Sequence, residues 1–160
     1  MKNFILRSLL SVTLTVLITS SFITAQQKDK DMVLKQIETL FDGMRAGDSS
    51  AVASVFVKDA TMQSISKDRE GNTALSTGSI SEFKKALGTP HAQVWDERVA
   101  NIQINVDGDM ATAWVPYSFY LGEKFSHCGV NSFRFIRSES GWKAISIVDT
   151  RRRTNCAEEL

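Results

Sequence analysis

Apolar residues early in this chain recur at helical spacing. Val33, Ile37, Leu40, Phe41 and Met44 form one stripe, with Lys35, Gln36, Glu38 and Asp42 on the other face. Asp29 or Asp31 is placed to cap the start of this helix, and Gly47 to end it in a left-handed residue. Asp48 or Ser49 then opens a shorter helix whose apolar side is Val52, Val55 and Phe56. The tight Ala46-Gly47-Asp48 link makes the two a helical hairpin. From Ala60 the period drops to two. Met62, Ser64 and Ser66 fall on one side of a strand, Thr61, Gln63 and Ile65 on the other. Lys67 to Asn72 reads as an exposed turn, and Thr73 to Thr77 as a short return strand. Ser79-Ile80-Ser81-Glu82 is a capping box for a third helix over Ile80 to Leu87, stopped by Gly88 and Pro90.

Beyond Ala92 the pattern is a meander of four strands. The first runs roughly from Ala92 to Val106, long enough to require a bend or bulge, and Asp107-Gly108 is a two-residue hairpin turn. The others span Asp109 to Leu121, Phe125 to Arg137 and Trp142 to Arg151. Helices first and a long antiparallel meander last make this an α+β chain, three helices on a strongly curved, mainly antiparallel sheet. A curved sheet covered on one face by helices encloses a conical hollow, and a small ligand belongs there.

Strand parity then assigns faces. Ala111, Ala113, Val115, Tyr117 and Phe119 are expected to point toward the hollow. Thr112, Trp114, Pro116, Ser118 and Tyr120 are expected on the outer face. On the next strand His127, Gly129, Asn131, Phe133 and Phe135 share the inner face, unless a bulge at Gly129 inverts them. On the last, Ile145, Ile147, Asp149 and Arg151 share a face. Trp95, near Pro90 and His91, is placed to line the mouth of the hollow. Met44 and Met62 read most simply as core filler.

The first residues stand apart from this fold. Lys2 and Arg7 flank the start of an uncharged run, Ser8 to Thr24, and Ala25 precedes Gln26-Gln27. This is the layout of a secretory signal peptide cleaved near Ala25, the alternative being a retained membrane anchor. Residues 1–25 are thus expected to leave, with 26–160 as one exported domain, periplasmic or extracellular, without a stable membrane anchor. The full chain has 19 basic and 18 acidic residues; without Lys2 and Arg7 the balance is 17 to 18, which gives no footprint for nucleic acid. Export also changes the reading of Cys128 and Cys156. In an oxidising compartment they are expected to pair, closing a loop of about 29 residues worth roughly 3–4 kcal/mol. Free thiols and a thiol or metal role are the alternatives, although two cysteines and one nearby histidine are too few for a closed zinc site. No metal and no cofactor is expected.

The blocks Ala113-Trp114-Val115-Pro116-Tyr117-Ser118-Phe119, Phe125-Ser126-His127-Cys128-Gly129-Val130-Asn131-Ser132-Phe133, Gly141-Trp142-Lys143-Ala144 and Asp149-Thr150-Arg151-Arg152, in this element order, carry a resemblance. Over about residues 30–156 the chain resembles the nuclear transport factor 2-like superfamily. Within it, the chain is similar to an exported bacterial branch labelled lumazine-binding-like. The superfamily also includes ketosteroid isomerases, scytalone dehydratase and SnoaL-like polyketide cyclases. The resemblance implies a cone-shaped fold and a homodimer joined through the sheet. Its proton-transferring members usually carry an Asp or His where the helical hairpin exits. Here residues 57–66 offer Lys58, Asp59, Thr61, Gln63 and Ser64, which match no known general base.

Two functions follow. In the first, the protein binds a small apolar or aromatic ligand, contacted by Trp95, Tyr117, Phe119, Asn131 and Phe133. In the second, it is a cofactor-independent isomerase, cyclase or dehydratase. His127 would then be the general acid/base, oriented by Asp149, with Tyr117 and Asn131 donating to a carbonyl or enolate. A structural His127 and an Asp149 paired with neighbouring arginines is the alternative to both roles.

Overall fold

The computed structural model describes residues 25–156; the expected signal peptide falls almost wholly outside them. Helix α1 covers 25–46, α2 Ser49–Val55 and α3 Ile80–Gly88. The strands are β1 Phe56–Lys67, β2 Thr73–Ser79, β3 Trp95–Val99, β4 Gln103–Asp107, β5 Met110–Leu121, β6 Lys124–Ser138 and β7 Gly141–Thr150. They form one sheet in the order β2-β1-β7-β6-β5-β3, with β4 also on β5. Every pairing is antiparallel except β1 with β7, which brings the first strand beside the last. The α+β architecture is as expected, and the three helices cover one face of the curved sheet.

Local chemistry explains the boundaries. Gly47 takes φ 68° behind α1, and the Asp48 side chain accepts from the Ser50 and Ala51 amides to cap α2. Ser79 and Glu82 make the reciprocal capping box of α3. Phe56, expected on α2, is already extended and opens β1. Asp29 and Asp31 do not cap α1, which is already helical at residue 25. The Asp29 carboxylate instead pairs with Arg137 at 2.6 Å and accepts from Trp142 Nε1 at 3.5 Å, tying α1 to the β6–β7 hairpin.

The long first strand of the meander is two strands, β3 and β4, both paired with β5. The break is at Asn101, φ 55°, a residue type that tolerates the left-handed region. The following turn is shifted by one residue: Asp107 pairs with Met110, so Gly108 and Asp109 form the loop, with Gly108 at φ 56°.

Two bulges decide which residues face inward. On β6 the register skips Ser126, and Gly129 is regular. On β7 it skips Ile145, which turns outward and is exposed, while Trp142, Ala144, Ile147 and Asp149 are buried. Ile145 therefore does not share the face of Ile147. The core joins Val33, Ile37 and Leu40 of α1 and Val52 and Val55 of α2 to Val115, Phe133, Phe135, Trp142 and Ala144 of the sheet. Cys128 and Cys156 are disulfide-bonded, with Cα atoms 5.8 Å apart. The bond holds the tail behind β7 against β6, where Cys128 and Arg152 already exchange backbone hydrogen bonds of 2.8 and 2.9 Å.

Candidate functional site

Between the helices and the concave face of the sheet lies a cavity of about 540 Å³, within the range that holds small molecules. Its helix side is apolar, with Leu40, Phe41 and Met44 from α1 and Phe83 and Ala86 from α3. Met44 and Met62, read as core filler, also reach this surface. Along the sheet side runs an aromatic series. Trp95 meets Phe119 edge-on at 6.4 Å, Phe119 meets His127 at 5.0 Å, and His127 meets Tyr117 at 5.7 Å. Register explains the series, because Phe119 is paired with His127 across β5 and β6. Of the expected ligand contacts, Trp95, Tyr117, Phe119 and Asn131 line the cavity. Phe133 does not. It is fully buried in the core, stacked on Phe135 at 5.6 Å and edge-on to Phe41 at 6.5 Å.

The polar wall is built around Asp149. Ser64 and Asn131 flank it by register on β1 and β6. One oxygen of Asp149 accepts from the Ser64 hydroxyl. The other accepts from Arg151 Nε at 2.6 Å and lies 3.3 Å from the Tyr117 hydroxyl, which also donates to the Thr150 carbonyl at 3.0 Å. Gly129 makes this crossing possible. A Cβ there would stand 1.7 Å from the Thr150 oxygen and 2.9 Å from the Tyr117 ring. The glycine is needed for the close approach of two strands and a tyrosine.

His127 and Asp149 line the same cavity but share no hydrogen bond among the described residues. Nδ1 of His127 lies 3.1 Å from the Ser126 hydroxyl, while Asp149 is engaged by Ser64, Tyr117 and Arg151. Burial lowers the imidazole's proton affinity, and the Arg151 charge adds to this against the opposing pull of Asp149. The Tyr117 hydroxyl is pushed up by burial and by the charges of Glu97 and Asp149.

Glu97, which the motif reading passed over, completes the wall. It is buried on β3, and its Oε1 accepts from Asn131 Nδ2 at 2.6 Å. Burial pushes its carboxyl up to about 7; Asp149 acts in the same direction, and Asn131 and Arg151 oppose it. Its sequence signal was simple alternation. Glu97 sits between Trp95 and Val99 on the face that Trp95 turns to the hollow. Ser64 was legible in the same way, beside Met62.

The fold agrees with that of known proteins. Residues 28–148 match the family described as "Putative lumazine-binding". The chain belongs to this family, and through it to the nuclear transport factor 2-like superfamily. Among solved structures, a nuclear transport factor 2-like protein with a cystatin-like fold from Novosphingobium aromaticivorans is similar with a TM-score of 0.68 at 15% identity, over 84% of this chain and 89% of that one. A protein of unknown function from Shewanella baltica gives 0.62 at 16% identity, over 79% and 96%. One from Streptomyces avermitilis, described as "a putative dehydratase", gives 0.60 at 15% identity, over 79% and 97%. At these identities the likeness is one of fold. No curated protein matches the chain in sequence.

Proposed function

We propose that this is an exported small-molecule-binding protein that holds an apolar or aromatic ligand in the conical cavity. The observation that carries the reading is the division of the cavity, apolar helices on one side and an aromatic and polar sheet on the other. Such a surface takes up a hydrophobic body and orients one polar end. The disulfide is what an oxidising compartment favours, and no helix among the described residues is long and apolar enough to cross a membrane. The test is organic extraction and native mass spectrometry of the purified protein, beside Ala86→Phe, which fills the cavity from α3. An apolar compound should travel with the wild type and be lost from the variant. Equal retention by both proteins would place binding elsewhere and sink the reading.

A second reading, a cofactor-independent isomerase, cyclase or dehydratase, is favoured by one observation. Two titratable groups on the cavity wall are pushed in opposite directions, His127 down and Glu97 up, the arrangement by which a site keeps both a base and an acid near neutral pH. In this reading His127 takes the proton, and Asp149 acts on it through the local field and through Tyr117. His127→Ala should fold normally and lose turnover of an enolisable substrate. Full turnover in that variant removes His127 from any catalytic role.

A further inference from the structure

The two carboxyl groups of the cavity are held very differently. Asp149 receives a guanidinium, a hydroxyl and a phenol. Glu97 receives one amide hydrogen, from Asn131, and among the described residues no Lys or Arg forms an ion pair with it. An ionised carboxylate so enclosed and so thinly solvated is costly, and the group holds its proton to higher pH than an exposed glutamic acid does. The proton's position follows from the geometry. Oε1 is occupied as an acceptor by Asn131. No side-chain polar atom among the described residues is both fully enclosed and without a partner. Oε2, which has none among them, is therefore not fully enclosed, and Glu97 lines the cavity.

Building on the ligand-binding reading, we propose that protonated Glu97 is the hydrogen-bond donor that fixes the ligand's polar end, so that the cavity selects an uncharged aromatic or apolar molecule bearing a carbonyl-type acceptor. The groups that face Glu97 support an uncharged ligand. Asp149 and Arg151 from β7 and its extension neutralise one another at 2.6 Å. From β5 comes the Tyr117 hydroxyl, already committed to Thr150 and Asp149. From β6 come Asn131 and His127, the latter disfavoured as a cation by burial and by Arg151. The α1 side offers Leu40, Phe41 and Met44, and Glu82 of α3 is tied up in its capping box. With these charges compensated, the wall offers no free counter-charge to an ionic ligand, whose burial there would be costly.

Three probes of one shape test this: acetylnaphthalene, which carries a carbonyl, ethylnaphthalene, which does not, and naphthylethylamine, a cation. Binding is followed by calorimetry at about pH 5.5 and about pH 8.5, on either side of the Glu97 midpoint of about 7. Wild-type protein should prefer the ketone over the hydrocarbon by about tenfold at the lower pH, the worth of one net hydrogen bond. The preference should largely disappear at the higher pH. Glu97→Gln should keep about the same preference at both pH values. Its oxygen still accepts from Asn131, and its amide still donates into the cavity without titrating. A wild-type preference unchanged by pH overturns the proposal. So does a preference in Glu97→Gln that still fades with pH, since His127 would then be the donor. Tightest binding of the amine, rising with pH, overturns it as well. Failure of all three probes to bind overturns the cavity reading and this proposal together, whereas equal binding of ketone and hydrocarbon overturns only this one.

Discussion

At the scale of single residues, Glu97 and Gly129 shape the site most. Glu97 is an acid whose folded-state midpoint, about 7, lies above its ordinary 4.5. Below 4.5 both folded and unfolded chains hold the proton, and it does not affect stability. As pH rises from 4.5 toward 7 the unfolded chain releases it first, so the wild type loses stability across that window, by at most about 3 kcal/mol. Glu97→Gln removes the titration. Urea denaturation at a series of pH values should show the variant gaining on the wild type as pH rises from about 4.5 to about 7, and parallel curves would refute it. At Gly129 the added methyl of Gly129→Ala meets the Thr150 carbonyl at 1.7 Å, a backbone atom that cannot swing aside. Its φ is not in the left-handed region, so space alone sets the cost. We expect a loss of about 3 kcal/mol or more, with the Tyr117 contact to Thr150 displaced, and thermal denaturation checks it. Alternation made Glu97 readable as an inward residue. Nothing local disclosed that Asn131, 34 positions away, would be its partner.

At the scale of elements, the bulges and the disulfide have the largest consequences. The bulge at Ile145 lets both Trp142–Ala144 and Ile147–Asp149 face inward on one strand, which strict alternation from Ile145 would forbid. The skip at Ser126 leaves His127 on the cavity face of β6. The bond from Cys128 to Cys156 fastens the segment that follows Arg151, which lines the cavity wall. Replacing both cysteines by serine should cost about 3–4 kcal/mol in urea denaturation. An unchanged midpoint would mean that the tail is held by its backbone bonds to Cys128 alone. The outer face near the bond is also covered. Ser118, expected to be part of an open face, is buried opposite Cys128, and Tyr120 carries the Arg98 guanidinium at 4.1 Å from its ring centre.

At the scale of the whole molecule, that leaves the other end of the outer sheet open. Trp114, Met110 and Ile136 are 50%, 51% and 42% exposed there. Met110 and Ile136 are paired across β5 and β6. An apolar patch of this kind on a sheet face fits a second copy of the chain, and we propose the homodimer forms through it. Sedimentation velocity on the exported chain should give twice the single-chain mass for the wild type and the single-chain mass for Trp114→Arg. A wild-type protein that sediments as a monomer ends the proposal. Because the cavity lies on the opposite face, Trp114→Arg should retain ligand binding.

Helix stripes, caps, strand alternation and tight turns depend on neighbours a few residues apart, so they could be read from the chain in order. The Cys128–Cys156 pair was readable in the same way, from the layout of the first residues and the cysteine count. The site itself depends on register. Ser64, Tyr117, Asn131 and Asp149 come together only because β1 lies parallel beside β7 and the bulges set the strands in step. Those pairings span 85 positions from Ser64 to Asp149 and 32 from Tyr117 to Asp149. Sequence alternation assigns a side chain to a face; only the folded sheet determines which other side chain it meets there, and so which of two carboxyl groups is paired with a guanidinium and which is pushed toward its protonated form.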